Sequence, residues 1–303
     1  MTLTKLVEGN FHYILGTVQL GLPYGINNGI RPSFEDSLAI LSKAFELGIR
    51  YLDTAESYGT SLEVIAAYQR KSSDKKFKIY SKFSKKNHLF EIQNEYNRQI
   101  NLLNILPENF QGFYFHHFTD YKIFKKDPQF SNDIKLGVSI YSLSEFREVL
   151  TDENITVIQI PLNIFSHNTE LSNYLLKNYN EIKKLNKVIV ARSVYLQGFL
   201  FVDNSKVSSS FDELINLRLY FEKKIKSIGI SKIEFAQRYL MDLYPINGLI
   251  FGAENINQLE SNIIINSNLE YKNNIEVDWF SLLDDCPKIL KVEMLNPGNW
   301  SKV

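Results

Sequence analysis

Eight short runs rich in β-branched and aromatic residues alternate along this chain with longer stretches of helical periodicity. The runs read YILGTVQL, IRYLDT, FKIYSKF, GFYFHH, IKLGVSI, ITVIQIPL, KVIVARSV and NGLIFGA. Between them lie amphipathic segments such as ELSNYLLKNYNEIKKL and SFEDSLAILSKAFELG, the latter with Ser33 as predicted N-cap and Gly48 as predicted end. This pattern predicts an α/β chain folded as a (β/α)8 TIM barrel, with a doubly wound open sheet as the alternative. No linker divides the sequence, so we expect a single domain over residues 1–303.

Composition excludes several classes of protein. Lys and Arg together number 34, as do Asp and Glu, so the net charge of zero gives no indication of a nucleic-acid partner. The single cysteine, Cys286, excludes an intrachain disulfide and favours a reducing compartment. The N-terminus lacks the pattern of a signal peptide, and the sequence has no apolar run long enough to cross a membrane. We therefore predict a cytoplasmic protein without a membrane partner; its oligomeric state is not indicated.

Four polar residues close or follow consecutive strand-like runs. They are Asp53 and Tyr58 in IRYLDTAESYG, Lys82 in FKIYSKF and His116 in GFYFHH. In a barrel these strand ends converge on one mouth, where active sites lie. A lysine cation is expected to lower the pKa of a nearby tyrosine, an aspartate keeps that lysine charged, and a histidine orients a carbonyl oxygen. The combination suits a carbonyl reduction, which needs a hydride and a positioned proton donor.

Each of these residues also has a purely structural interpretation. Tyr58 is one of 17 tyrosines and such a side chain is more often part of the packing. Lys82 fits a solvated strand end, Asp53 a helix N-cap, and His116 a core histidine. Their common position at successive strand ends favours the functional interpretation.

A hydride donor must bind elsewhere than in a Rossmann motif. The glycines of GLPYGINNG, at positions 21, 25 and 29, do not have the G-x-G-x-x-G spacing, and this segment is either a loop arching over the barrel mouth or a simple turn. The start of the helix after LIFGA, together with Ser193 and the backbone of residues 197–199, is a candidate for binding a pyrophosphate.

With these motifs the chain resembles the aldo/keto reductases. LDTAESYG matches the DTAxxYG segment of that family, FKIYSKF its lysine strand and GFYFHH its histidine strand, aligned on His116 and not on its neighbour. KLGVSIYS, VIQIPLN and FGAENINQLESN resemble its cofactor-contacting segments. The resemblance extends from about residue 14 to about residue 265. It implies an NAD(P)H-dependent oxidoreductase that reduces an aldehyde or ketone, with Tyr58 as proton donor, Lys82 and Asp53 tuning it, and His116 orienting the carbonyl.

The same resemblance implies a set of cofactor contacts. Ser139 and Gln159 would hold the nicotinamide carboxamide, and Tyr195 would stack on the nicotinamide ring. Near the adenosine end would lie Gly252, Gln258 and Asn262, and Ser193 is the candidate pyrophosphate contact named above.

Two departures from the family pattern bear on the cofactor. Ile140 follows Ser139 where most members have an asparagine, so one amide contact is missing. Glu254 stands where the family often has a cation beside the 2′-phosphate of NADPH, with Arg192 or a lysine as candidates to compensate. We expect NADPH as the cofactor, with NADH possible.

GTVQLGLPYGINN, ARSVYLQGFLF and NPGNW resemble a narrower bacterial branch associated with surface-carbohydrate biosynthesis. They predict a sugar or nucleotide-sugar carbonyl as substrate. The tail over residues 275–303, with Trp279 and Trp300, either closes over the pocket or packs on the side of the barrel.

Two other functions remain as alternatives. A non-catalytic or regulatory barrel would bind the cofactor without turnover, although the intact set of four residues argues against it. A metal-dependent hydrolase would use His116 and His117, but the sequence contains no H-x-H or H-E-x-x-H motif, so no metal site is predicted.

Overall fold

The computed structural model describes residues 11–26, 29–72, 76–83, 92–126, 134–203, 207–265, 271 and 275–302. Its eight strands close into a parallel barrel in which each strand pairs with the next and β8 pairs with β1. The predicted (β/α)8 TIM barrel is confirmed. The strands are β1 (His12–Gly16), β2 (Tyr51–Asp53), β3 (Lys78–Phe83), β4 (Phe110–Phe115), β5 (Leu136–Ser139), β6 (Ile155–Pro161), β7 (Val188–Arg192) and β8 (Gly248–Gly252).

Helices follow the strands along the chain. They are α1 (Val18–Gly21), α2 (Phe34–Glu46), α3 (Ser61–Lys71), α4 (Ile92–Leu103), α5 (Phe118–Phe124), α6 (Leu143–Leu150), α7 (Glu170–Lys177), α8 (Tyr179–Lys184), α9 (Asp212–Ile228), α10 (Lys232–Leu243), α11 (Ile256–Ser261) and α12 (Trp279–Leu282). Ser33 caps α2, its hydroxyl accepting from the Asp36 amide as predicted. Across the described ranges, no helix has the length and apolar character needed to cross a bilayer.

Two elements differ from the predicted pattern. The first strand ends at Gly16, and VQLG forms α1, because Thr17 turns the chain and its hydroxyl donates to the Asp53 carbonyl at 3.0 Å. The long predicted helix over ELSNYLLKNYNEIKKL is two helices, since Asn178 has non-helical backbone angles and interrupts the ladder.

Tyrosine rings set against glycines on the neighbouring strand fill part of the barrel interior. Tyr80 on β3 pairs in register with Gly112 on β4, and Tyr114 on β4 pairs with Gly137 on β5. A Cβ at either glycine would come within 2.8 Å of the facing ring. The alternation of large and small residues lets the rings pack 5.8 Å apart, closing the barrel below the mouth.

The segment after residue 275 packs on helices and on the chain that follows β7. Trp279 contacts Phe235 on α10, with ring centroids 5.1 Å apart. Trp300 contacts Phe211 at 5.3 Å and Phe199 at 6.1 Å. The second contact matters for the mouth, because Phe199 directly follows the loop described below.

Candidate active site

One large cavity opens at the C-terminal ends of the strands, with a volume of about 850 Å³. Every site residue predicted from the sequence lines it. These are Asp53, Tyr58, Lys82, His116, Ser139, Gln159, Ser193, Tyr195, Gly252, Gln258 and Asn262. The structure therefore brings the predicted residues together, while their individual roles stay predictions.

A buried chain of hydrogen bonds lies at the bottom of the cavity. The Lys82 ammonium, only 2% exposed, donates to Asp53 Oδ2 at 2.5 Å and to the Thr54 carbonyl at 3.2 Å. The Gln159 amide donates to the other Asp53 oxygen at 2.7 Å. Burial lowers the pKa of Lys82, whereas the charge of Asp53 and its hydrogen bond act in the opposite direction. Asp53 thus holds the cation in place and favours its charged form.

The backbone around Tyr58 is fixed by a close approach between two loops. Gly59 has a φ of +55°, and a Cβ there would lie 2.4 Å from the Gly21 carbonyl oxygen. A Cβ on Gly21 would lie 1.8 Å from the Tyr58 carbonyl oxygen. Both positions therefore require glycine, which explains the last residue of the SYG motif. This packing leaves the Lys82 ammonium 5.0 Å from the centre of the Tyr58 ring.

The pKa of Tyr58 is opposite in direction to the sequence-based expectation. Burial raises the pKa of Tyr58 above its ordinary value, and the Asp53 carboxylate raises it further, while the Arg192 guanidinium lowers it. Loss of solvent opposes formation of a tyrosinate more strongly than the Arg192 guanidinium favours it. The expectation of a lowered pKa is wrong for this structure, and Tyr58 keeps its proton at neutral pH.

His116 lies beside Tyr58 and is neutral. Burial and the nearby Lys82, His117 and Arg192 lower the pKa of His116 to about 3. Its ring contacts the Tyr58 ring edge to face at 6.2 Å. His117, in contrast, is exposed at the start of α5. Within the described ranges, no group of three or more His, Cys, Asp or Glu side chains is placed to hold a metal ion.

One of the two predicted carboxamide contacts, Gln159, has a side-chain oxygen without a hydrogen-bond partner among the described residues. Gln159 Oε1 is fully buried and has no hydrogen-bond partner among the described residues, although the Nε2 of the same side chain binds Asp53. An unpaired buried acceptor costs free energy until a donor reaches it. Gln159 lies in register with Ser139 on β5, and both line the cavity. These two residues therefore fit the amide group of a nicotinamide.

Tyr195 and Asn262 direct their polar atoms towards protein. The Tyr195 hydroxyl donates to Asn262 Oδ1 and accepts from Gln237 Nε2 at 2.6 Å. Asn262 Nδ2 donates to the Gln258 carbonyl at 2.8 Å. The two side chains join α10 and α11 to the β7 loop. Their polar atoms are hydrogen-bonded within the protein, and the side chains form part of the cavity wall. Stacking of Tyr195 on a nicotinamide stays a prediction.

The loop after β7 is strained and crosses the mouth. Ser193, Leu196 and Gln197 have φ angles of +59°, +47° and +54°. Such conformations cost about 1–3 kcal/mol each and persist where surrounding contacts impose them. The Gln197 side-chain amide donates to the Tyr24 hydroxyl at 2.9 Å, and the backbone carbonyl of Gln197 accepts from the Ile26 backbone amide at 3.0 Å. The described part of the GLPYGINNG segment therefore meets the β7 loop over the cavity, as the arching-loop interpretation predicts.

The opposite wall is formed by the segment after β8. Glu254 and Gln258 bond to each other, since the Glu254 amide donates to Gln258 Oε1 at 2.8 Å. Gly252 leaves room for Gln19, whose amide nitrogen would lie 2.1 Å from a Cβ at that position. Asn255 caps α11 by accepting from the Gln258 amide.

Among the lining residues that sequence reasoning did not single out are Gln19, Tyr24 and Tyr141. It named Arg192 only as a candidate to compensate Glu254 and gave it no place beside Tyr58. Arg192 instead contacts Ser139, Ile140 and Ser193, and its charge acts on Tyr58 and His116. The signal for its true place was present, because Arg192 ends a strand as Asp53 does.

Comparison with known proteins agrees with this geometry. The model of the aldo/keto reductase family matches residues 13–120, which contain Asp53, Tyr58, Lys82 and His116. The chain resembles the aldo/keto reductases, as its motifs predict. No curated protein sequence matches this chain.

Solved structures of aldo/keto reductases have the same barrel. A glycerol dehydrogenase from Gluconobacter oxydans superposes with a TM-score of 0.60 at 20% identity, covering 90% of this chain and 91% of its own. An aldo-keto reductase from Bacillus halodurans, in its holo form, superposes with a TM-score of 0.59 at 18% identity, covering 84% and 85%. At these identities the likeness concerns the fold.

Proposed function

We propose that this protein reduces an aldehyde or ketone to an alcohol, with Tyr58 as the proton donor. The observation that carries the proposal is the meeting of Tyr58, Lys82, Asp53 and His116 in one cavity at the barrel mouth. Four residues from three successive strand–loop units converge there, in the place where this fold has its active sites.

Tyr58 has the properties of an acid that holds its proton until it is needed. Its raised pKa keeps the hydroxyl protonated before reaction. As the carbonyl oxygen gains negative charge it becomes a strong base and takes the proton from Tyr58. The Lys82 cation, 5.0 Å from the ring centre, stabilises the tyrosinate that this transfer produces. Asp53 keeps Lys82 in position for that role.

His116 contributes a neutral hydrogen-bond donor. Because its pKa is far below neutrality, the ring carries one N–H and one acceptor nitrogen at physiological pH. One ring nitrogen lies 3.5 Å from the Ser57 hydroxyl, which helps to fix the ring. A neutral imidazole orients a carbonyl oxygen without adding a further cation beside Lys82.

NADPH supplies the hydride when it is bound. Ser139 and Gln159 would hold its carboxamide, since Gln159 has a buried acceptor without a partner among the described residues. Along the rest of the cofactor would lie Ser193, Tyr195, Gly252, Gln258 and Asn262. The bridge between Gln197 and the Tyr24 segment would exclude water above it.

A sugar or nucleotide-sugar carbonyl is the proposed substrate, on the strength of the sequence segments shared with the carbohydrate-associated branch. The cavity is of the size that small-molecule sites have. The single domain over residues 1–303 is part of the same proposal, supported by the packing of Trp279 and Trp300 on the barrel helices.

The test is Tyr58→Phe, which removes the acid and keeps the ring. We expect kcat to fall by about 10²- to 10⁴-fold with the dissociation constant of NADPH little changed. Consumption of the reduced cofactor with a panel of aldehydes and sugars measures the activity. Tyr68→Phe is the matched control, because Tyr68 is a buried tyrosine on α3. Activity of Tyr58→Phe within about twofold of wild type would contradict the assignment. Tight NADPH binding without turnover of any carbonyl would favour the regulatory alternative.

A further inference from the structure

Arg192 presents a guanidinium group to the cavity from the last position of β7. The group lies over the Tyr141 ring, 4.3 Å from its centre. Its Nε donates to Ser139 Oγ at 3.3 Å, one terminal nitrogen donates to Ser193 Oγ at 3.3 Å, and the other donates to the Ile140 carbonyl at 3.1 Å. Stacking and three hydrogen bonds orient the plane of the cation.

These contacts leave part of the donor set unused. A guanidinium has five N–H groups, and the three bonds above occupy three of them. Among the described residues, the remaining two, one on each terminal nitrogen, have no acceptor. No Asp or Glu among the described residues forms an ion pair with Arg192. Lys82, in contrast, is paired with Asp53 at 2.5 Å. Within the described ranges, Arg192 is therefore a cation with two free donors and no counter-charge.

Arg192 lies close to the residues that carry the proposed chemistry. Its charge lowers the pKa of Tyr58, and it also acts on Lys82 and His116. Arg192 and Tyr58 line the same cavity, so one small molecule in that cavity is able to contact both. A carboxylate matches two N–H donors on one planar group better than any neutral acceptor does.

We infer that Arg192 binds a carboxylate of the substrate, so that the preferred substrates are carbonyl compounds that carry a carboxylate on the same molecule, such as oxo acids or sugar acids. This inference rests on the proposed function and narrows its substrate class. Arg192 is then a specificity-determining residue, whereas Tyr58 remains the proton donor.

The experiment compares each acid with its own methyl ester. A series of aldehyde acids of increasing chain length, and a hexuronate, are assayed beside their methyl esters, and the ratio of kcat/KM for acid over ester is recorded. A charge-assisted pair predicts a ratio of about 10 to 100 for the best chain length in the wild type. In Arg192→Gln the ratio falls towards one, and in Arg192→Lys, which keeps the charge but loses the planar fork, it is intermediate. The ratio is independent of any general loss of activity.

Arg147→Gln is the matched control. Arg147 also stacks on a tyrosine, 4.7 Å from the centre of the Tyr174 ring, but it lies exposed on α6. It should keep the wild-type ratio. If Arg192→Gln fails to fold, Arg192→Lys and inhibition of the wild type by short carboxylates, compared with their amides, still decide the question.

The outcomes separate the two proposals. A wild type that reduces acids and esters equally well overturns the role of Arg192 and leaves carbonyl reduction intact. A wild type that reduces neither overturns the proposed function and the inference built on it. Weaker NADPH binding by Arg192→Gln with an unchanged acid-to-ester ratio would assign the guanidinium to the cofactor and overturn the inference.

Discussion

Two cations lie at the same barrel mouth in contrasting surroundings. Lys82, on β3, is buried and held by the Asp53 carboxylate at 2.5 Å. Arg192, on β7, is half-buried, and its described contacts are a tyrosine ring and neutral oxygens at 3.1–3.3 Å. A paired buried cation acts on its neighbours through its field, whereas a cation with unused donors is able to bind a further acceptor. The contrast supports a division of the mouth into a side that tunes the proton donor and a side that recognises ligands.

The largest expected effect comes from breaking the paired cation. Lys82→Met removes the charge that stabilises the tyrosinate, so kcat should fall by about 10²- to 10⁴-fold and the apparent pKa that governs reduction should rise. It also leaves Asp53 buried without its cation, which should lower the free energy of unfolding by about 3–5 kcal/mol. Urea denaturation and a pH–rate profile measure the two effects.

The double variant Lys82→Met/Asp53→Asn separates activity from stability. It removes both charges, so we expect most of the lost stability to return while activity stays low. An unchanged pH–rate profile in Lys82→Met would refute the electrostatic role.

A smaller effect is expected on the side of the mouth formed after β8. Glu254 lines the cavity where the ribose of the adenosine is proposed to lie. Glu254→Lys should shift the ratio of the dissociation constants of NADPH and NADH by about tenfold towards NADPH, equivalent to about 1.4 kcal/mol. Glu260→Lys is the control, because it changes the net charge by the same amount at a residue that forms a surface ion pair with Lys43. It should leave the ratio of dissociation constants unaltered. If Glu254→Lys also leaves the ratio in place, Glu254 does not face the ribose.

The smallest effect concerns His116, which lies beside Tyr58 at the barrel mouth. Its pKa of about 3 in the folded protein lies below the ordinary value of 6.5, so the unfolded chain binds more protons between these values. The free energy of unfolding should therefore decrease as the pH falls from about 6.5 towards 3, and His116→Asn should weaken that decrease. Thermal unfolding across this pH range measures it. A His116→Asn curve that matches wild type would contradict the shift.

The alternation of strands and helices was predictable because it rests on local periodicity. Runs of β-branched residues and helical spacing each involve only a few neighbouring residues. The rule that active-site residues lie at the C-terminal strand ends of a barrel then predicted that Asp53, Lys82 and His116 meet at one mouth. The same local rules failed at Asn178, whose non-helical backbone splits the predicted helix.

The electrostatic character of the site was decided by tertiary structure alone. Asp53 and Gln159 are 106 positions apart in the chain and share a hydrogen bond of 2.7 Å. The pKa of Tyr58 rises because packing removes water from around it, a property that no local motif encodes. The surroundings of Arg192 likewise depend on Ser139 and Tyr141, which reach it only when the barrel closes. Residue types and strand order follow from the sequence, whereas burial and charge pairing depend on contacts between distant segments, and these exist only in the folded chain.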